Sequence, residues 1–177
     1  MAGERIARHN HLRDAIFQTA QSANLAPQKE GRALIPLTDS RPADVLVPRY
    51  TSGKDTCYDV TVINCLRSDM IERSAEEPGY AVAHAYRSKW TKYGAACESE
   101  GMVFVPLPVD VFGAWHPTAA QHLRKLGSAL ARATCSEESV TINHFFQRLS
   151  VLLVKGNMSL LLNRLICDIN SEINGDI

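Results

Sequence analysis

The run Cys57-Tyr-Asp-Val-Thr-Val-Ile63 constrains this chain more than any other segment. β-Branched and aromatic residues dominate it, and its apolar character is nearly continuous, the pattern of a strand buried on both faces. Asp59 stands in its middle. A carboxylate inside such a strand is costly unless it is paired or bound to a cation. A second acid, Asp44, interrupts another apolar run, Ala43-Asp44-Val45-Leu46-Val47. Two strands that each carry one acid point to a shared cation. A hard divalent ion such as Mg2+, or Mn2+ in its place, takes oxygen ligands. Asp44, Asp59 and the main-chain carbonyl of Val60 are the expected protein ligands.

The rest of the chain supplies a frame for these strands. Leu12, Ile16, Ala20 and Ala23 recur at helical spacing, with His9 on the same stripe, and predict a helix over Arg5–Ala23. A break follows over Asn24–Gly31, then a short strand over Arg32–Leu37, a turn over Thr38–Pro42 and the strand Ala43–Val47. Beyond Cys57–Ile63 the residues from Arg67 to Gly79 read as a polar loop. A helix over Tyr80–Cys97 and a strand over Met102–Leu107 come next. Pro117 suits the first turn of another helix, whose buried stripe is Ala119, Leu123, Leu126 and Leu130. Two more helices are expected over Val140–Val154 and Ser159–Ile169. This order predicts an α/β fold, a mixed β-sheet flanked by helices. With 177 residues the chain suits one domain. Residues 135–177 form its C-terminal helical extension, whose apolar residues serve as core or as an oligomer face.

The helix after Asp59 carries the sharpest inference. At about 100° per residue, Tyr86, Lys89 and Tyr93 all fall within about 40° of Val82. Lys89 therefore sits in the middle of the apolar stripe and Lys92 at its margin, while His84, Arg87 and Ser88 lie opposite. A lysine aimed at the core needs a partner, and Asp59 is the expected one. A lysine beside a cation-binding carboxylate suits phosphodiester cleavage, where it orients water and offsets charge on the phosphate.

Composition narrows the function classes. Net charge is zero, which argues against an indiscriminate nucleic-acid coat protein. Basic residues still gather at the first helix, where Arg5, Arg8, His9 and Arg13 are candidates for DNA-backbone contacts. No uninterrupted apolar run approaches the ~18 residues of a membrane span. The opening Met1-Ala-Gly-Glu-Arg lacks the apolar core of a signal peptide. Five cysteines without a CxxC pair fit buried, reduced thiols. An intracellular protein is expected, with the nucleus open to it.

At this point the motifs resemble a family. Arg8-His9-Asn10-His11-Leu12-Arg13-Asp14 resembles the Arg-His-Asn helix that opens the restriction-like endonuclease region of non-LTR retrotransposons. Arg41-Pro42-Ala43-Asp44-Val45 resembles that family's Arg/Lys-Pro-Asp motif, with Ala43 inserted. Tyr58-Asp59-Val60-Thr61-Val62 resembles its Asp-x-Thr motif, and Lys89-Trp-Thr-Lys92-Tyr93 its Lys-x-x-Lys-Tyr helix. The similarity runs from about Arg8 to Leu165. Thr61 stands where most of the PD-(D/E)XK superfamily has lysine, so the resemblance gives that role to Lys89. It implies a restriction-endonuclease-like fold and Mg2+-dependent nicking of DNA. It also implies a reverse transcriptase domain as partner on a longer parent protein. Glu30 becomes a further candidate acid, Lys92 and Tyr93 supporting residues, and Arg41 a DNA contact. The alternative is an inactive remnant of the same fold that binds nucleic acid or a protein.

Overall fold

A computed structural model describes residues 2–30 and 42–175, with side chains over 3–30 and 42–166. Helix α1 (Ala2–Ser22) is followed by β1 (Gln28–Lys29), β2 (Val45–Thr51), β3 (Lys54–Ile63), α2 (Ile71–Glu76), α3 (Tyr80–Ser99), β4 (Val103–Asp110), α4 (Pro117–Thr134) and α5 (Glu138–Gly175). The strands form one sheet in the order β1-β2-β3-β4. The β1/β2 and β2/β3 pairs are antiparallel and β3/β4 is parallel. A parallel pair requires a crossover, and α2 with α3 supplies it. The fold is therefore mixed α/β, a four-stranded mixed sheet flanked by helices.

Side-chain alternation divides the sheet into two faces. Val45, Val47, Tyr58, Val60, Leu107 and Val109 pack beneath α1, α4 and α5, against residues such as Leu12, Ile16, Leu123, Leu126 and Leu149. Leu46, Cys57 and Phe104 turn the other way, to Cys97 and Tyr93 of α3. Asp59 shares the parity of Cys57 and so meets α3. Pro106 and Pro108 pair with Asp59 and Thr61 from β4, an outer strand. Two residues apart, both prolines turn their donor-less nitrogens the same way, a pattern tolerated only at a sheet edge. Main-chain bonds from His116 to Pro108 and from Asp110 to Ala114 cover that edge.

Three elements differ from the sequence expectation. The polar loop contains α2, and the break after α1 contains the two-residue β1. The two C-terminal helices are one, α5. Gly156-Asn157 resembles a break, yet Gly156 is helical because α1 crosses there. A Cβ at Gly156 would lie 2.5 Å from Arg8 Cγ. Glycine lets the two helices approach, which offsets its poor helix propensity. Within α5, Phe145, Leu149 and Leu153 enter the core, whereas Val154, Met158, Leu161, Leu162, Leu165 and Ile166 are exposed. By length and composition alone Glu138–Ile166 is long and apolar enough to cross a membrane, although charges interrupt it. Cys57, Cys65 and Cys97 are buried free thiols and Cys135 is exposed. The expected strand Arg32–Leu37 and Arg41 lie outside the described residues.

Candidate functional site

β3 carries Asp59 to the face that α3 covers, where the residue is 6% exposed. Lys89 reaches it from α3. Its Nζ donates to Oδ1 at 3.1 Å and lies 2.9 Å from Oδ2. The second distance is an ion-pair contact only: Oδ2 is buried and accepts no well-directed hydrogen bond from the described residues. The lysine stem follows the apolar stripe of α3 and its head remains partly open to water. Burial pushes the Asp59 carboxyl up to about 6. Lys89 opposes that rise and the charge of Asp44 adds to it.

Asp44 stands one residue before β2. Its N–H donates to the Tyr58 carbonyl at 2.9 Å, and its own carbonyl accepts from Glu30 N at 3.0 Å. The ladder pairs Val45 with Tyr58. One step further along, Asp44 comes alongside Asp59 and Val60, as cross-strand neighbours do. Asp44 Oδ2 accepts the Val60 N–H at 2.7 Å, and Oδ1 lies 3.2 Å from His9 Nε2 of α1. The hydrogen bond with Asp44 raises the His9 pKa despite burial, which acts the other way. A protonated ring with Nε2 as donor is thus favoured. The charge of Asp59 adds to the same effect.

Asp44, Asp59, Val60 and Lys89 accordingly gather at one end of the sheet, with His9 beneath. The other candidates take different places. Glu30 has its main chain beside Asp44, but its Oε1 accepts from Arg13 Nη1 at 2.7 Å. Arg13 also donates to Asp14 at 3.0 Å, so it is held between two acids. Tyr93 packs edge-on to Phe104 at 5.7 Å, and Lys92 lies over its ring at 4.8 Å. These two brace α3. Arg5 is exposed. Arg8 is turned inward and is 8% exposed, with Nη1 donating to Asn157 Oδ1 of α5 at 2.5 Å. Arg41 lies outside the described residues.

Among the described residues no group of three or more His, Cys, Asp or Glu side chains is placed to hold a metal ion. Two carboxylates nevertheless suit Mg2+, which keeps several waters and is commonly bound through one or two carboxylates plus substrate phosphates. The buried Oδ2 of Asp59, which accepts no well-directed hydrogen bond from the described residues, fits such a role. So does the donor set, which is oxygen only.

From the sequence His9 belongs to a DNA-contacting helix end, and nothing local marks it as the partner of Asp44. The inward turn of Arg8 was missed as well. Its signal was present, because Arg8 lies four residues before Leu12 and eight before Ile16, on the buried stripe. Comparison with family models and with curated proteins finds no match to this chain.

Proposed function

We propose that this protein is a divalent-metal-dependent DNA endonuclease with a restriction-endonuclease-like fold and a non-LTR retrotransposon origin, which nicks one strand by phosphodiester hydrolysis. One observation carries the reading. An ammonium group from α3 meets both oxygens of a buried strand carboxylate, and Oδ2 accepts no well-directed hydrogen bond from the described residues. Asp44 and Asp59 would hold Mg2+ or Mn2+, with the Val60 carbonyl as a further ligand. When bound, the ion supplies Lewis-acid charge for the phosphoryl oxygens and the attacking water.

The chain's own groups do the rest. Lys89 orients the water and offsets the charge that develops on the phosphate. Its ion pair with Asp59 fixes where the ammonium stands before substrate arrives. Val60 N–H and His9 hold the Asp44 carboxylate in one orientation, the usual task of groups behind a metal ligand. Glu30, bonded to Arg13, is a reserve acid at the margin, and Lys92 and Tyr93 stiffen α3. The substrate is DNA, the parent polypeptide would carry a reverse transcriptase domain, and the setting is intracellular, with the nucleus open to it.

A plasmid-nicking assay with Mg2+ tests this. Wild-type protein converts supercoiled DNA to open circles, whereas Asp59→Ala does not. Cleavage that persists in Asp59→Ala removes the proposed site. A second reading, a non-catalytic remnant that binds nucleic acid or a protein, draws on the fact that both Asp44 oxygens already have protein partners. It predicts no nicking by either protein.

A further inference from the structure

A second feature adjoins the acids. Among the described residues the β2/β3 ladder begins at Val45↔Tyr58, and Asp44 bonds to Tyr58 and Val60 just beyond it. A groove of about 570 Å³ lies where β3 ends, between α1 and α5. Arg5, Arg8, Arg67 and Arg164 line it, and Thr61 and Asn157 lie in its wall. Among the described residues only Arg67 of these four arginines has an acid partner, Asp69. Arg8 is the unusual member. It is 8% exposed, and among the described residues its Nε has no hydrogen-bond partner and its only bond is to a neutral amide, Asn157. Asn157 is fixed in turn, because its Nδ2 donates to the Val111 carbonyl at 2.7 Å. A buried guanidinium without a carboxylate is costly and calls for an anion. The remaining wall is apolar: Leu66, Phe112 and Leu161 are 54%, 73% and 53% exposed.

We propose that this groove binds an unpaired strand of DNA, with a phosphate on the arginines and a base against Phe112 and its apolar neighbours. Charge plus apolar stacking surface is the usual make-up of single-strand sites. The volume is that of a small-ligand cleft, which admits one extended strand and no duplex. Its position relates it to the acids. Thr61 is two residues beyond Asp59 on β3, about 7 Å away. Arg5 is one helical turn, about 6 Å, before His9. The proposal rests on the nuclease reading only in naming the groove's role, which is to lead a single strand to the acidic end of the sheet. Substrates with an unpaired segment beside the scissile bond are then preferred.

Binding is measured by fluorescence anisotropy with a labelled 12-nucleotide single strand, in EDTA so that no cleavage enters. The full chain, Arg5→Glu/Arg164→Glu and Arg8→Lys are compared, with unfolding midpoints recorded for each. The exposed charge-reversal pair is expected to weaken single-strand binding at least tenfold with an unchanged midpoint. A blunt duplex of equal length binds at least tenfold more weakly than the single strand. Inorganic phosphate at 10 mM leaves the complex largely intact. The proposal is overturned if the charge-reversed protein binds as wild type, if duplex binds as well as single strand, or if phosphate alone displaces the strand. Single-strand binding without nicking in Mg2+ would remove the nuclease reading and leave the groove standing.

Discussion

Replacing Asp59 by Asn should stabilise the metal-free protein, and the gain should depend on pH. The rise of the Asp59 carboxyl from its ordinary 3.8 to about 6 corresponds to about 3 kcal/mol on ionisation, at roughly 1.4 kcal/mol for each tenfold change in proton affinity. The direction follows from proton counts. Between pH 4 and 6 the unfolded chain has released this proton while the folded chain retains it. Folded stability therefore falls as pH rises through that window and is flat above it. Asparagine resembles the neutral acid and carries no such dependence. The difference between Asp59→Asn and wild type should be near zero at pH 3.5 and grow to about 3 kcal/mol by pH 8. For a chain of this length that is an increase in Tm of about 6–12 °C. Thermal unfolding followed by circular dichroism in EDTA reads this directly. Adding Mg2+ should recover part of the deficit in wild type, by mass action on the folded state, and none in the variant. A pH-independent difference, or a variant less stable at pH 8, would refute the claim that a destabilised carboxylate sits in the folded sheet.

Lys89→Met removes the charge that lowers the Asp59 pKa. The stability break should move above pH 6, and nicking should fall by about 10²- to 10⁴-fold, the range for loss of a proton-handling group; an unmoved break would show that the pair is not formed. For His9→Gln the sign is opposite. The His9 pKa is raised by Asp44, so its stabilisation is complete below about pH 6.5 and is lost as pH climbs through the raised value. Denaturant titrations should show the variant weaker at pH 6 and close to wild type at pH 9, and equal deficits at both would exclude an ionised His9–Asp44 pair. Gly156→Ala places a methyl group 2.5 Å from Arg8 Cγ. A loss of about 1–3 kcal/mol is expected, and a neutral or stabilising result would mean that the α1–α5 crossing is looser than described.

β3 and α3 are readable because each signal is local. β3 announces itself by composition, and a periodicity argument puts Lys89 on the inner stripe of α3. Their meeting at Asp59 needed only the assumption that consecutive elements pack together. Asp44 was readable as an acid in an apolar run, but its partner His9 lies 35 positions away on a helix from the opposite face. No local pattern encodes such a contact. The sequence reads α5 as two helices, Val140–Val154 and Ser159–Ile169, and the reason that it continues through Gly156, the approach of Arg8, is tertiary. The arginine groove was hidden for the same reason: residues 5, 8, 67 and 164 become neighbours only through the fold.

Asp44 takes hydrogen bonds from both α1 and β3, so its carboxylate is oriented only while the first helix stays docked. If the acids bind an ion as proposed, that binding and burial of α1 reinforce each other by the same factor, whichever is perturbed first. Amide hydrogens of the first helix should exchange more slowly when the acids are loaded. Loosening that helix should cost affinity at a place it does not itself line.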